Sequence, residues 1–455
     1  MTDFDGEQFD LEERHALQRV AGLSTQVEDI SEVEYRELQL ERVVLVGVLS
    51  TADDERSLSE LARLAETAGS QVLDAVAQRR SHPDPATYIG SGKVAELGDL
   101  VAVTGADTVI CDGELTAAQL RNLEDQLKVK VIDRTALILD IFAQHAHSAE
   151  GKAQVELAQL QYLKQRLRGW GGNLSRQVGG RAASGVGIGG RGPGETKIEM
   201  DRRRINHRIS GLRRKLKELD ATRSTGRSAR EKGKVPSVAI VGYTNAGKSS
   251  LLNRLTGAGV LVDDALFATL DPTTRRAETK SGRAFTLTDT VGFVRNLPHD
   301  LVEAFRSTLE ESASADLLLH VVDGADEDPF GQVAAVRQVL REIGAGDVPE
   351  QLVVNKCDIA DPTELTALRG KYSEALFVSA HSGEGIEELL ERIDERLPRP
   401  AVHVHVLVPY ARGDLVDRVH QEGEIASSEY RDEGTEIDAL VGHALATELE
   451  PYASN

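Results

Sequence analysis

The chain has 455 residues, 53 Lys+Arg against 74 Asp+Glu and a formal net charge of −21; at ~100–200 residues per domain this is about three domains, and 40% hydrophobic residues suffice for packed cores. No apolar run reaches the roughly 18 residues of a membrane helix, and the acidic start (Asp3, Asp5, Glu7, Asp10, Glu12, Glu13) is the reverse of a signal peptide's. Cys111 and Cys357 are too few for a disulfide framework or a four-thiolate zinc site, so the expected compartment is the cytoplasm.

Residues 1–37, with 11 acids and 3 bases and no periodicity, read as a disordered acidic tail. Strands and helices then alternate. Strands are expected at residues 42–50, 72–76, 108–111 and 130–133, and helices at 58–68, 94–103 and 116–127. This alternation predicts a parallel α/β domain over 38–142, its last element ending near Ile141. Within it, Gly90-Ser91-Gly92-Lys93 echoes a phosphate loop but lacks the full spacing and follows no clear strand. It reads as a turn packed against RNA or a neighbouring domain. His145, His147 and Glu150 have no third convergent partner and read as polar turn residues; Asp107, Asp112 and Glu114 read as solvated loop ends.

Residues 143–222 differ in kind. A helix over 153–168 carries Leu160, Leu163 and Leu167 on one stripe. A second, over 196–219, places Ile198, Ile205, Ile209, Leu212, Leu216 and Leu219 at heptad-like steps, so the two should pair as an antiparallel hairpin. The joining loop, 169–194, has 11 glycines in 26 residues, no acid, the only tryptophan, Trp170, and Arg176, Arg181 and Arg191. So long a loop in a compact unit is functional or disordered. Residues 163–234 hold 20 bases against 6 acids, including consecutive Arg202, Arg203 and Arg204, an electrostatic footprint for a polyanion despite the acidic whole. A linker, 223–236, leads to a second α/β domain, 237–397. The alternation Val402, Val404, Val406, Val408 then opens a small C-terminal α+β unit, 398–455.

An apolar strand at 238–241 runs into Gly242-Tyr243-Thr244-Asn245-Ala246-Gly247-Lys248-Ser249 and a helix. This G-x-x-x-x-G-K-S spacing lets backbone N–H groups and a helix N-terminus surround phosphates. Lys248 should reach the β- and γ-phosphates, and the Ser249 hydroxyl should bind Mg²⁺. A strand at 285–288 ends in Asp289-Thr290-Val291-Gly292, an acid placed near the metal and a glycine placed to sense the γ-phosphate. Another at 352–354 ends in Asn355-Lys356-Cys357-Asp358. The Asp carboxylate accepts from guanine N1–H and its exocyclic amine, a donor pair adenine lacks. Ser379-Ala380-His381, after a strand at 376–378, supports the base from its other edge. All lie at carboxyl ends of parallel strands, and the expected nucleotides are GTP and GDP. The first switch lies in "LFATLDPTTRR" (266–276), where Thr269, Thr273 and Thr274 are all candidates to complete the Mg²⁺ shell. Phe293 stands where many GTPases place a water-orienting glutamine, so unaided turnover should be slow. Asn245 is placed either to hold a monovalent cation, K⁺, or to shape the turn.

The stretches "YIGSGKV" (88–94), "DRTALILDIFAQHAHSAEGKAQVELAQLQYL" (133–163), "GGRGPGETKIEMDRRRI" (189–205), "FATLDPTTRR" and "DTVGFVRNLPHDLVEAF" (289–305) closely resemble the HflX family of ribosome-associated GTPases over roughly residues 40–400. The resemblance implies that Thr269, within Phe267-Ala268-Thr269-Leu270-Asp271 at the nucleotide, is the switch I Mg²⁺ ligand beside Ser249. Lys248, Gly292 and Asn245 are the expected catalytic residues, and the resemblance implies a normal Phe293 and hydrolysis stimulated by the large ribosomal subunit. It further implies a monomeric protein whose N-terminal domain and hairpin bind 23S rRNA of the 50S subunit, the Gly-rich loop nearing the peptidyl-transferase region. In its GTP form such a protein separates stalled or idle 70S ribosomes under stress. Two other functions are weighed: an assembly or hibernation factor that docks without splitting, and an RNA-remodelling ATPase acting through the N-terminal domain.

Overall fold

The structure is a computed structural model that describes residues 42–50, 53–168, 199–200, 202–219, 235–257, 266–267, 269–279, 282–295, 301, 305–398 and 402–454. The expected tail 1–37 and loop 169–194, with Trp170, Arg176, Arg181 and Arg191, lie outside the described residues, as does the linker up to residue 234. The chain forms two compact units. One comprises Met1–Glu218 with Asn296–Phe305, the other Leu219–Arg295 with Arg306–Asn455.

In the first unit, β1 (Arg42–Leu49), α1 (Asp53–Thr67), β2 (Gln71–Arg79), α2 (Ser91–Thr104), β3 (Thr108–Cys111), α3 (Ala117–Leu127) and β4 (Lys130–Asp133) alternate. The sheet is parallel, in order β2-β1-β3-β4. Its inner strands are apolar on both faces, as helix-covered parallel strands must be; Val44, Val46, Val109 and Val131 pack with Leu97, Leu120 and Leu123. Thr116 and Gln119 form a reciprocal capping box that starts α3. The Gly90-Ser91-Gly92-Lys93 turn opens α2, with Gly90 at its N-cap and Lys93 paired to Glu96 at 2.7 Å.

The α/β domain holds one element that was not expected. A further helix, α4 (Arg134–His145), follows β4 directly, capped by Asp133, and every residue over 134–142 is buried. Arg134 is held by Glu60 and, at 2.7 Å, by Asp112. Asp112 is therefore a buried ion-pair partner, not a solvated loop end. His145 Nδ1 donates to Ile141 O at 2.9 Å, and no group of three or more His, Cys, Asp or Glu that could hold a metal occurs among the described residues. The Asp133 carboxylate, 1% exposed, accepts from the N–H groups of Ala136 (3.0 Å) and Leu115 (3.1 Å), from Tyr162 Oη (2.7 Å) and from Arg166. Tyr162 and Arg166 belong to α5 (Ala149–Arg168), so one carboxylate ties β4, α4 and α5 together.

The hairpin seam is as the spacing predicts. Ala153, Leu157 and Leu160 of α5 pack with Ile205, Ile209, Leu212 and Leu216 of α6, a helix over residues 202–219. Leu163 is half-buried, while Ile198 and the side chain of Leu167 lie outside the described residues. The solvent side of α6 carries Arg202, Arg203, Arg204, Arg213, Arg214, Lys215 and Lys217, all exposed. Phe305 completes this unit, its ring edge-on to Phe142 with centroids 4.7 Å apart.

In the second unit β5 (Ser237–Gly242), α7 (Lys248–Thr256), β6 (Thr273–Glu278), β7 (Ala284–Asp289), α8 (Arg306–Ala313), β8 (Leu317–Asp323), α9 (Pro329–Glu342), β9 (Glu350–Asn355), α10 (Pro362–Lys371), β10 (Leu376–Phe377) and α11 (Ile386–Arg396) build a six-stranded sheet, order β10-β9-β8-β5-β7-β6. All neighbours are parallel except β6, which pairs antiparallel with β7. The sheet is thus mixed, as expected. Residues 273–276, expected in the switch, lie in β6 instead. The C-terminal part has an antiparallel sheet, order β11-β13-β12, from β11 (Val402–Val408), β12 (Glu424–Arg431) and β13 (Gly434–Val441). Helices α12 (Gly413–Glu422) and α13 (His443–Leu449) supply Leu415, Val419 and Leu445 to its core.

Candidate nucleotide site

Strand β5 delivers the chain into a tight loop and out along α7. Asn245 and Gly247 take positive φ, 58° and 86°, and a Cβ on Gly247 would fall 2.2 Å from Asn355 Nδ2, so only glycine fits there. Lys248, at the first turn of α7, is buried and donates to Tyr243 O at 2.9 Å. Burial pulls its ammonium down to about 8 while Asp289 pushes it back up.

Asp289 ends β7 beside it. Ser249 Oγ donates to Asp289 Oδ2 at 2.6 Å and Thr269 Oγ1 does so at 3.1 Å; the two hydroxyls are 2.9 Å apart. Burial raises the Asp289 carboxyl, against Lys248 and these two donors. Its other oxygen, Oδ1, is buried with no hydrogen-bond partner, as is Thr244 Oγ1. Two hydroxyls and a carboxylate with an unsatisfied oxygen form an all-oxygen set of the kind a hard cation such as Mg²⁺ prefers, so the residues present fit the ion. Of the three candidate threonines, Thr269 has its hydroxyl here. Thr273 and Thr274 lie in β6 opposite Asp289 and Thr288, and Thr274 Oγ1 is bonded to Thr288 Oγ1 at 2.9 Å.

At the other end Asn355 bridges two loops. Its Nδ2 donates to Ala246 O at 2.9 Å and its Oδ1 accepts from Ala380 N–H at 2.9 Å. Lys356, with φ 63°, pairs with Asp323 at 2.7 Å. Ser379 is buried and its Oγ accepts from Ser382 N–H, while His381 is exposed, 4.0 Å from Asp358.

Between these groups runs a cleft of about 740 Å³ lined by Thr244, Asn245, Gly247, Lys248, Ser249, Phe267, Thr269, Gly292, Asn355, Lys356, Asp358, Ser379, Ala380 and His381. The other expected residues do not line it. Gly242, Ala246, Leu270 and Val291 are buried in its walls and Asp271 is half-buried. Tyr243 is buried too, and Thr290 Oγ1 is turned to Ile240 O at 2.7 Å. Asp289 stands behind Ser249. Cys357 Sγ donates to Val354 O, and burial pushes its thiol up to about 11. Ala268 lies outside the described residues. Ser250, Asn253, Arg254 and Ile359 join the lining and were not anticipated. Nor was Asp323, whose only signal was its place at the carboxyl end of β8.

A mixed doubly wound sheet with this loop and these strand ends defines a P-loop GTPase, and the comparisons agree. Residues 55–143 match the family described as GTP-binding GTPase N-terminal, 145–230 the GTP-binding GTPase Middle Region, and 237–356 the 50S ribosome-binding GTPase. The chain is 47% identical to the GTPase HflX of Caldanaerobacter subterraneus over 90% of its length and 94% of that protein. It is 44% identical to the GTPase HflX of Escherichia coli, over 87% and 92% respectively. A GTP-binding protein of Sulfolobus solfataricus, solved with GDP, is 26% identical over 78% of this chain and 98% of that one, with a TM-score of 0.40. The chain belongs to the HflX family of GTPases and hydrolyses GTP. Among the described residues no helix is long and apolar enough to cross a membrane.

Proposed function

We propose that this GTPase binds the 50S ribosomal subunit in the cytoplasm through its first unit, as a monomer, and in the GTP state separates stalled or idle 70S ribosomes under stress. The observation that carries the reading is α6. One face is sealed against α5 and the other presents seven bases to solvent, a surface that neutralises RNA phosphates with release of counterions. Arg202, Arg203 and Arg204, with Trp170, Arg176, Arg181 and Arg191 on the loop between α5 and α6, are the proposed contacts to 23S rRNA. Arginine planes and an indole also stack on unpaired bases.

In the cleft the proposed roles follow position. Lys248 and the main chain of residues 242–249 hold the phosphates. Asp358 accepts from guanine, with Asn355, Lys356, Cys357 and the 379–381 turn shaping the base end. Residues 267–271 and 289–292 close over the γ-phosphate. Ser249 and Thr269 would ligate Mg²⁺ with Asp289 behind them; the ion, when bound, neutralises charge on the β- and γ-phosphates. Asn245 lines the same cleft at positive φ and is proposed to hold K⁺ beside the phosphates. Phe293 is 1% exposed and cannot orient water, so full catalysis at Lys248, Gly292 and Asn245 is proposed to need the ribosome.

The experiment is GTP turnover with and without purified large subunits, in K⁺ and in Na⁺, with light scattering of intact ribosomes in parallel. A fall in scattering with GTP supports splitting. Stimulated turnover without that fall supports the assembly or hibernation reading, and no stimulation refutes both.

A further inference from the structure

Because the Phe293 side chain is buried in the core, no side-chain hydrogen bond from residue 293 fixes the stretch of chain that carries Gly292. The structure supplies three anchors. Phe293 N–H donates to Gly242 O at 3.1 Å and Phe293 O accepts from Thr244 N–H at 2.8 Å, a parallel bridge to the phosphate loop. Two residues on, Arg295 N–H donates to the Tyr243 hydroxyl at 2.5 Å. The Arg295 guanidinium then pairs with Asp328, both side chains being largely buried. Asp328 is itself held at the start of α9, where its Oδ1 accepts from Gly331 N–H at 2.9 Å. Gly292 is thereby pressed so close that a Cβ on it would fall 2.9 Å from Lys248 Nζ.

We propose that the Tyr243 hydroxyl and the Asp328 carboxylate are positioning residues for GTP hydrolysis, acting through Arg295 to hold the Gly292 backbone beside the Lys248 ammonium. This rests on the GTPase reading of the cleft and adds two groups outside it. The main chain of Tyr243 belongs to the phosphate loop, but its hydroxyl faces Arg295. Asp328 lies on a different element, at the start of α9, where its carboxylate meets the Arg295 guanidinium. A prepositioned backbone costs no reorganisation when charge develops on the transferred phosphoryl group, which suits a site lacking a water-orienting side chain.

The test is single-turnover GTP hydrolysis by the full chain carrying Tyr243→Phe, Asp328→Asn or both, with titration of GDP and of a non-hydrolysable GTP analogue. Tyr243→Phe removes one oxygen from a buried ring, and asparagine keeps the helix cap. Losing one such hydrogen bond should slow hydrolysis by about tenfold and lower the ratio of analogue to GDP affinity. The double variant should be no slower than the slower single one, since both act through one arginine. Should Asp328→Asn fail to fold, Arg295→Lys, which keeps the main-chain bond to Tyr243 but loses the guanidinium, should reproduce its loss of rate. Unchanged rates in a folded Tyr243→Phe, equal losses of GDP and analogue affinity, or fully multiplicative effects in the double variant would each overturn the proposal. A wild-type chain that hydrolyses no GTP would instead overturn the reading beneath it.

Discussion

Asn355 Nδ2 donates to the carbonyl of Ala246 across 109 residues of chain, at 2.9 Å, joining the strand end proposed to meet the base to the loop proposed to meet the phosphates. Asn355→Ala leaves Ala246 O and Ala380 N–H without these partners. If the nucleotide-bound form bears the cost of about one stranded buried group, roughly 1–3 kcal/mol, affinities for GDP and GTP should fall together, by about 10- to 100-fold. Titration with a fluorescent nucleotide reads both.

Ser249 and Thr269 share Asp289 but sit on different elements. Ser249 belongs to α7, next to Lys248 of the phosphate loop, whereas Thr269 lies in the stretch expected to switch. Ser249→Ala should therefore weaken the Mg²⁺ dependence of both GDP and GTP binding. Thr269→Ala should affect the GTP analogue alone. Nucleotide release rates across a Mg²⁺ titration separate the two.

A methyl group on Gly292 would meet Thr244 Cγ2 at 2.8 Å, Thr244 Cα at 3.0 Å and Lys248 Nζ at 2.9 Å. The first two are loop atoms that cannot retreat cheaply. Gly292→Ala should thus displace the segment and reduce GTP turnover by more than about tenfold, with GDP binding less affected.

Glu350, at the start of β9, takes an ion pair from Arg337 and a 2.7 Å bond from the buried His320 of β8. Burial pushes its carboxyl up, but these partners outweigh burial and hold it at about 2, below its ordinary 4.5. Burial also holds the His320 imidazole below its usual value. A depressed carboxyl stabilises the fold above its unfolded value, and that stability is lost as pH falls from about 4.5 toward 2. Thermal unfolding between pH 5 and 3 should steepen in the wild type relative to Glu350→Gln, by on the order of 2 kcal/mol.

Asp133 accepts from two backbone N–H groups, a tyrosine and an arginine while 1% exposed. Asp133→Ala removes a helix cap and leaves Arg166 without its carboxylate. A loss of about 3–5 kcal/mol should appear as faster amide exchange across β4, α4 and the foot of α5, with nucleotide affinity unmoved.

The loops that line the cleft were readable because each is a short contiguous motif at the end of an apolar strand. Residues 242–249 and 355–358 needed no long-range information, and the strands before them were apolar enough to stand out. What escaped had no local period. Helix α4 is buried all round from Arg134 to Phe142, so its sequence lacks an amphipathic stripe, and its charged Arg134 and Asp140 conceal it further. Strand β6, TTRRAE, is polar, with only Ala277 buried. Its place at the sheet edge erased the alternation that would have separated Thr273 and Thr274 from Thr269. The bonds from Tyr243 to Arg295 and from Lys356 to Asp323 span 52 and 33 residues, and no spacing rule foretells them.

The order of the chain also bears on how the molecule can be dissected. Asn296–Phe305 is claimed by the first unit although both flanks belong to the second, and Leu301 and Phe305 are buried at 2% and 3% exposure. A fragment cut at the linker would carry those two apolar side chains away without the ring of Phe142. Such a truncated protein should be stickier and less stable than the intact one, and its turnover is no proxy for that of the whole.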